Sequence, residues 1–355
     1  MDIYEINDIR KDKDFAGVSF SGYKKTLVKK ELLQSLISSS IEPAGYWSAE
    51  LIAAGHYSDL WELIIIYISR QIHIGCPKLP LYISIRINTF KGIVGNGYID
   101  DQLSMRNNKH IRHLFAEIIT TLCLAKKRHT FDAIKISGIS AFSMENMSVK
   151  LKATDLSFAS VAFLEEDPKE MIVAINEISY NLCPCSLNGY TACYWLEWIL
   201  EYDAMCKSKK IPCIAKRRYV DTIENKYQQE SIWIIWDIIK YRAEEKQCKI
   251  IIKIIESLFD MYCLRFSSGV KKRRKYLIYN CISLLTEPID LTIPIWTDKT
   301  IISATTDNLI IVYKEIKKNE ICPKTDYLFN GLDRSNADKT REKIAIMNNI
   351  LHPPT

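Results

Sequence analysis

Apolar residues recur at helical spacing along most of the chain. Between Tyr23 and Ser40, Leu27, Leu32, Leu33, Leu36 and Ile37 form a stripe that predicts a helix, closed by a serine triplet. The stretch Ile41 to Phe90 then holds three apolar segments of helical length. They are punctuated by Pro43, by Gly55 with Ser58 and Asp59, and by Gly75 with Pro77 and Pro80. Proline is tolerated in a first helical turn, so a helix is predicted from Pro43 to Ala54, ending at Gly55. Ser58 or Asp59 caps the next, which turns Trp61, Leu63, Ile64 and Ile68 inward. A fourth begins after Pro77 or Pro80 and runs to about Lys91, with Gly92 to Gly97 as a loop. Asn107 to Arg128 is the fifth, with Ile111, Leu114, Phe115, Ile118, Leu122 and Leu124 on its apolar side.

Residues 129–166 break this period, and Phe131 to Ile136 alternates briefly, which allows a short extended pair. The scheme then returns. Helices are expected at Asp167–Asn181, with Asp at the cap and Pro168 behind it, and at Asn188–Lys207, Tyr227–Glu245, Lys249–Phe266 and Val270–Leu285. Ala192-Cys193-Tyr194-Trp195 echoes Ala44-Gly45-Tyr46-Trp47, and Trp233 to Lys240 echoes Trp61 to Ile68. The offset between copies grows from 148 residues (Tyr46 to Tyr194) to 172 (Trp61 to Trp233), because a basic loop, Ser208 to Asn225, is inserted in the second. The expected architecture is all-α: two tandem five-helix units, read as an internal duplication, with a helical C-terminal extension. The boundaries are an N-terminal arm at 1–22, irregular or loosely docked, a first repeat at 23–128, a connector at 129–166, a second repeat at 167–287 and the extension at 288–355. That extension carries Trp296, a helix from Asp307 to Asn319, and a polar-faced helix from Ala337 to Leu351 that caps the array.

Composition agrees with helices. Twelve glycines in 355 residues are few, and the net charge of +6 permits an acidic partner without demanding one. The eleven cysteines, scattered through apolar segments, suit reduced thiols in a core. The N-terminus has no signal-peptide core, and the most apolar run, Leu63 to Ile68, is too short to span a bilayer, so a soluble intracellular protein without membrane insertion is expected.

Chemistry is sparse. No glycine-flanked serine elbow, phosphate-binding loop or His-Glu-x-x-His occurs, and Glu50, Glu62, Glu117 and Glu197 lack the Glu-x-x-His spacing of helical di-metal sites. Cys183, Cys185, Cys206 and Cys213 do not have zinc-knuckle spacing, and His73 with Cys76 has no mate. No catalytic residue, metal or cofactor is therefore expected. Tyr46, Trp47, Trp61, Tyr194, Trp195 and Trp233 are assigned to structural core; a peptide groove lined by tryptophans is the alternative. The remaining signal is basic: Lys126 to His129, then Lys207, Lys209 and Lys210, then Lys216, Arg217 and Arg218, then Lys271, Lys272, Arg273, Arg274 and Lys275. The last run opens a helix, where cations oppose the macrodipole, and so points to nucleic acid or another anion. A solvated face is the plain alternative.

The segments EPAGYWSAELIAAGHYSDLWE, PKLPLYISIR, RNNKHIRHLFAEI and ACYWLEWI resemble conserved helical proteins of nucleocytoplasmic large DNA viruses, over about residues 20 to 285. That resemblance implies action in the host cytoplasm, at the virus factory, or in the virion, with other viral proteins or further copies as partners. More locally, Ala44 to Gly55 is similar to a segment in the helical collar of clamp-loader-related recombination ATPases; the P-loop is missing, so ATP hydrolysis is not implied. Five helices occurring twice also match a pair of cyclin boxes, in count alone. The expected function is a non-enzymatic structural or scaffold protein. The alternative is a nucleic-acid-binding replication or recombination accessory protein.

Overall fold

Helices α1 (Lys25–Ile37), α2 (Ile41–Ala53), α3 (Tyr57–Tyr67), α4 (Leu79–Gly95) and α5 (Lys109–Leu124) build the first unit of the chain. The computed structural model describes residues 4–321 except 100, 133 and 137, together with residue 340. After the short α6 (Met144–Ser148), helices α7 (Ile172–Leu182), α8 (Gly189–Lys209), α9 (Ile232–Glu245), α10 (Lys249–Cys263), the single turn α11 (Val270–Arg273) and α12 (Lys275–Thr286) build the second. Helices α13 (Lys299–Leu309) and α14 (Val312–Lys317) follow. The protein is all-α. Among the described residues there is no strand, only an isolated bridge between Val18 and Lys24.

The units share several pairings, although α9 also packs on α10 and α12 in the second. In the first, α1 packs on α2, α3 and α5, α2 also on α3 and α5, and α4 on α5. In the second, α7 packs on α8, α9 and α12, α8 also on α9 and α12, and α10 on α12. The units meet through α4 on α10 and through the end of α3 on α12. The chain turns between α3 and α4 in a π-helical turn at Ile68–Ile72, and His73 then adopts a left-handed φ of 47°. Gly75 is required there. A Cβ on it would lie 2.5 Å from the Lys126 carbonyl oxygen and 2.9 Å from the Arg128 nitrogen.

Several boundaries differ from the sequence expectations for identifiable reasons. Asp59 does not cap α3; Lys25 and Lys29 hold its carboxylate at 2.9 and 2.8 Å. Asp167 does not cap α7, because it accepts from Leu164 N and Lys216 N and pairs with Arg218. Helix α4 runs through Gly92 to Gly95. The basic run splits the expected fifth helix of the second unit into α11 and α12 at Arg274. The connector holds 3-10 turns and α6 in place of an extended pair. The N-terminal arm is docked. Ile6, Phe15 and Phe20 are buried, Ile6 N donates to Asn107 Oδ1 at 2.9 Å, and Ile9 N donates to the Ile321 carbonyl at 3.0 Å. In the extension, α13 packs on α5 and α14 on α2, and Trp296 Nε1 donates to Thr121 Oγ1 at 3.0 Å. The helix expected at Ala337–Leu351 lies outside the described residues.

Candidate functional site

The basic clusters come together around carboxylates. Lys271 is buried and gives its ammonium to Asp203 and, at 2.5 Å, to Glu230 Oε2. Lys207 joins the same Glu230 carboxylate at 3.0 Å. Burial favours protonating Glu230, but the two lysines outweigh it and hold its carboxyl below the usual range. Lys275 pairs with Glu197 at 2.6 Å and Lys272 with Glu201 at 2.8 Å. Arg273 and Arg274 both reach across to Glu62, at 2.8 and 2.5 Å. Arg218 is buried, bidentate on Asp167 and 2.8 Å from Asp237 Oδ2. Lys216 pairs with Glu166 at 3.0 Å, while Arg217 bonds Gln228 and Asn225. Lys209 and Lys210 are exposed, with no ion pair among the described residues. Lys271, Arg274 and Arg218 are buried with their carboxylates, while Lys207, Lys216, Lys272 and Arg273 are exposed and paired at the surface, so most of this charge already has an acidic partner.

The aromatic assignments divide. Trp61, Trp195 and Trp233 are buried, whereas Tyr46, Trp47 and Tyr194 are half-buried. Trp47 stands at the surface between the rings of Tyr23 and Tyr46, at 5.5 and 5.1 Å, so it is not an equivalent of Trp195 in depth. Trp195 lies against Trp198, which donates its indole N–H to the Ala141 carbonyl at 3.1 Å.

A cleft that no sequence motif marked lies between the two units. Its volume is 620 Å³, and it is walled by Tyr57, Trp61, Ile65, Ile87, Phe90, Val94 and Ile99 of the first unit. Leu264, Arg265, Arg273 and Arg274 close it from the second. The floor is aromatic because Trp61 packs on Phe90 and Phe115 at 5.6 and 5.2 Å. An adjoining cavity of 440 Å³ shares Ile87, Lys91, Leu264 and Arg265 and extends to Thr222. The two rim carboxylates are engaged: Asp59 by Lys25 and Lys29, Glu62 by Arg273 and Arg274. Burial raises the Glu62 carboxyl, and Arg274 with Arg273 more than offsets it, so the group stays ionised below its ordinary value. Lys91 and Arg265 are exposed and have no carboxylate partner within ion-pair distance among the described residues; Arg265 donates to Ser58 Oγ at 2.6 Å. Asp260 sits nearby, its carboxyl raised by burial and opposed by the Lys91 charge. The result is an apolar trough with a positive edge.

No group of three or more His, Cys, Asp or Glu side chains among the described residues could hold a metal ion. His73 is buried, and burial pulls its imidazole down to about 4. Cys206 is buried against Cys213, whose thiol is pushed up to about 12 first by burial and then by Cys206. The His73 imidazole and the Cys213 thiol are neutral at physiological pH, which suits them poorly to nucleophilic or acid–base work. Among the described residues, no helix is long and apolar enough to cross a membrane. No protein-family model, no curated protein and no solved structure matches the chain.

Proposed function

We propose that the chain is a non-enzymatic scaffold or interaction protein of a large DNA virus, working in the host cytoplasm or the virion. The observation that carries the interaction reading is the cleft between the units. Apolar, aromatic-floored hollows with a few convergent charges at a junction between domains are where proteins bind ligands. The viral setting rests on the resemblance of the segments quoted above. The helix pairings that the units share support descent of both from one duplicated five-helix ancestor. The engaged state of the basic clusters weakens the nucleic-acid alternative, since counterion release needs free cations on phosphate.

The test is capture of the tagged full chain from infected cells at physiological salt, with and without nuclease. A stoichiometric protein partner that survives nuclease, and re-forms a complex from purified components, is the expected result. Association lost on nuclease treatment would overturn the reading in favour of nucleic acid.

A further inference from the structure

Trp61 and Trp233 hold corresponding places in their units and both are buried, but only Trp233 is roofed by a segment of its own unit, while Trp61 lines the cleft. Each sits on the third helix and packs on an aromatic ring of the fourth: Trp61 on Phe90, Trp233 on Phe259 and Tyr262. The link between second and third helices is residues 54–56 in the first unit and 210–231 in the second. That longer link folds over its own tryptophan. The Tyr227 carbonyl accepts from Trp233 Nε1 at 2.7 Å, and the Tyr227 ring stands edge-on to Phe266 at 5.8 Å. Three residues on, Glu230 enters the grip of Lys207 and Lys271.

The second unit thus carries its own occupant: an aromatic residue followed by a carboxylate held by cations. The first unit lacks that segment. Trp61 instead lines the open cleft, and its buried indole N–H has no acceptor. The cleft supplies the matching parts, an apolar floor of Ile87, Phe90 and Val94 and, at its edge beside Asp260, the cations Lys91 and Arg265, in no ion pair among the described residues.

We propose that the cleft takes, in trans, a segment of a protein partner that bears an aromatic side chain with a carboxylate about three residues beyond it. This rests on the reading of the chain as an interaction protein and names the chemistry of what it binds. The ring lies on the Phe90 side of the trough, where aromatic burial supplies most of the affinity. The carboxylate meets Arg265 and Lys91, which orient the segment and favour acidic partners over basic ones.

The probe is a labelled synthetic peptide with the sequence of residues 223–231, the chain's own covering segment, titrated into the full-length chain and read by fluorescence anisotropy. Saturable binding is expected. Tyr227→Ala or Glu230→Lys within the peptide should each raise the dissociation constant at least about ten-fold, a 1.4 kcal/mol loss. On the protein, Gly95→Trp should abolish binding. Gly95 lines the cleft at the end of α4, and a Cβ there meets nothing within 4 Å, so a large side chain can be placed at the cleft without a clash at its Cβ. Lys91→Glu with Arg265→Glu, both exposed, should reverse the preference between the Glu230 and Glu230→Lys peptides. Absence of saturable binding, or binding indifferent to Gly95→Trp, overturns the proposal. Binding indifferent to both charge changes also overturns it, leaving a general apolar site. A cellular partner still captured by the Gly95→Trp chain sinks the cleft assignment while the interaction reading stands. Peptide binding as expected with no cellular partner sinks that reading and leaves the cleft.

Discussion

Arg274 reaches from the second unit to Glu62 of the first at 2.5 Å, and its other terminal nitrogen spreads over the carbonyls of Met261, Tyr262 and Leu264. The guanidinium ties the exit of α10 to α3 and so fixes the width of the cleft. Glu62→Gln removes the negative charge while keeping the shape, leaving Arg274 buried and uncompensated. Loss of one partner from a buried pair costs about 3–5 kcal/mol. A fall of that size in urea-unfolding free energy is expected, and a change below about 1 kcal/mol would show that the pair does not hold the units together.

The same carboxylates set the acid response. Glu62, Asp59, Asp167 and Glu230 all have carboxyls lowered in the folded protein, each by cations that outweigh the opposing effect of burial. A group whose folded pKa lies below its unfolded one adds stability above the unfolded value, 4.5 for Glu62 and 3.8 for Asp167, and loses it as pH falls through the folded value. The urea midpoint should therefore drop steeply below about pH 4.5, and Glu62→Gln should flatten part of that drop. A midpoint flat between pH 5 and 3 contradicts the ion-pair account.

Trp195 and Trp47 separate two depths that the sequence pattern made equal. Trp195→Ala should cost about 3–5 kcal/mol, the range for a fully buried large aromatic. Trp47→Ala should cost about 1–2 kcal/mol, in proportion to the smaller area it removes from water. Equal losses in chemical denaturation would restore the view of them as twin core anchors.

The helix periods were readable because Leu, Ile and aromatic stripes face one core, and helical spacing needs no knowledge of partners. What escaped the reading depends on pairing across long separations. The run Lys271 to Lys275 is the same five letters whether its charges meet water, phosphate or Asp203, Glu230, Glu62 and Glu197, and only the fold brings those carboxylates near. The N-terminal arm looked loose because its polar residues hide three buried anchors, Ile6, Phe15 and Phe20. The cleft was partly legible. Trp61 and Trp233 align, yet only Trp233 follows an inserted segment, and that asymmetry marks which tryptophan stays open.

Phosphate binding at the basic clusters must come from the few cations left over there. Lys209, Lys210 and Arg217 lack carboxylate partners among the described residues, and each phosphate engaged contributes about −0.9 to the salt slope. Lys209→Glu, Lys210→Glu and Arg217→Glu together should thus lower the slope for duplex DNA retention by no more than about 3. A further fall in the slope on Lys272→Glu with Arg273→Glu would mean that the carboxylates release that run to DNA.

Arg218 tests whether the covering segment is held by one buried pair. Its guanidinium joins Asp167 to the 210–231 link, bonds the Ala162 carbonyl at 2.8 Å and also reaches Asp237. Burial works against its charge, and Asp167 with Asp237 overcomes that, raising its affinity for the proton above the ordinary value. Arg218→Met leaves Asp167 buried without its cation and should cost about 3–5 kcal/mol. The freed link should then be cut by chymotrypsin at the exposed Tyr219 faster than in the parent chain. Adding Asp167→Asn removes the orphaned charge, so the double variant should recover part of the lost stability, a coupling that a double-mutant cycle reads directly. No recovery in the double variant would mean that the ion pair is not what docks the segment, and that Gln228, bonded to the Val220 and Ile223 carbonyls, holds it instead.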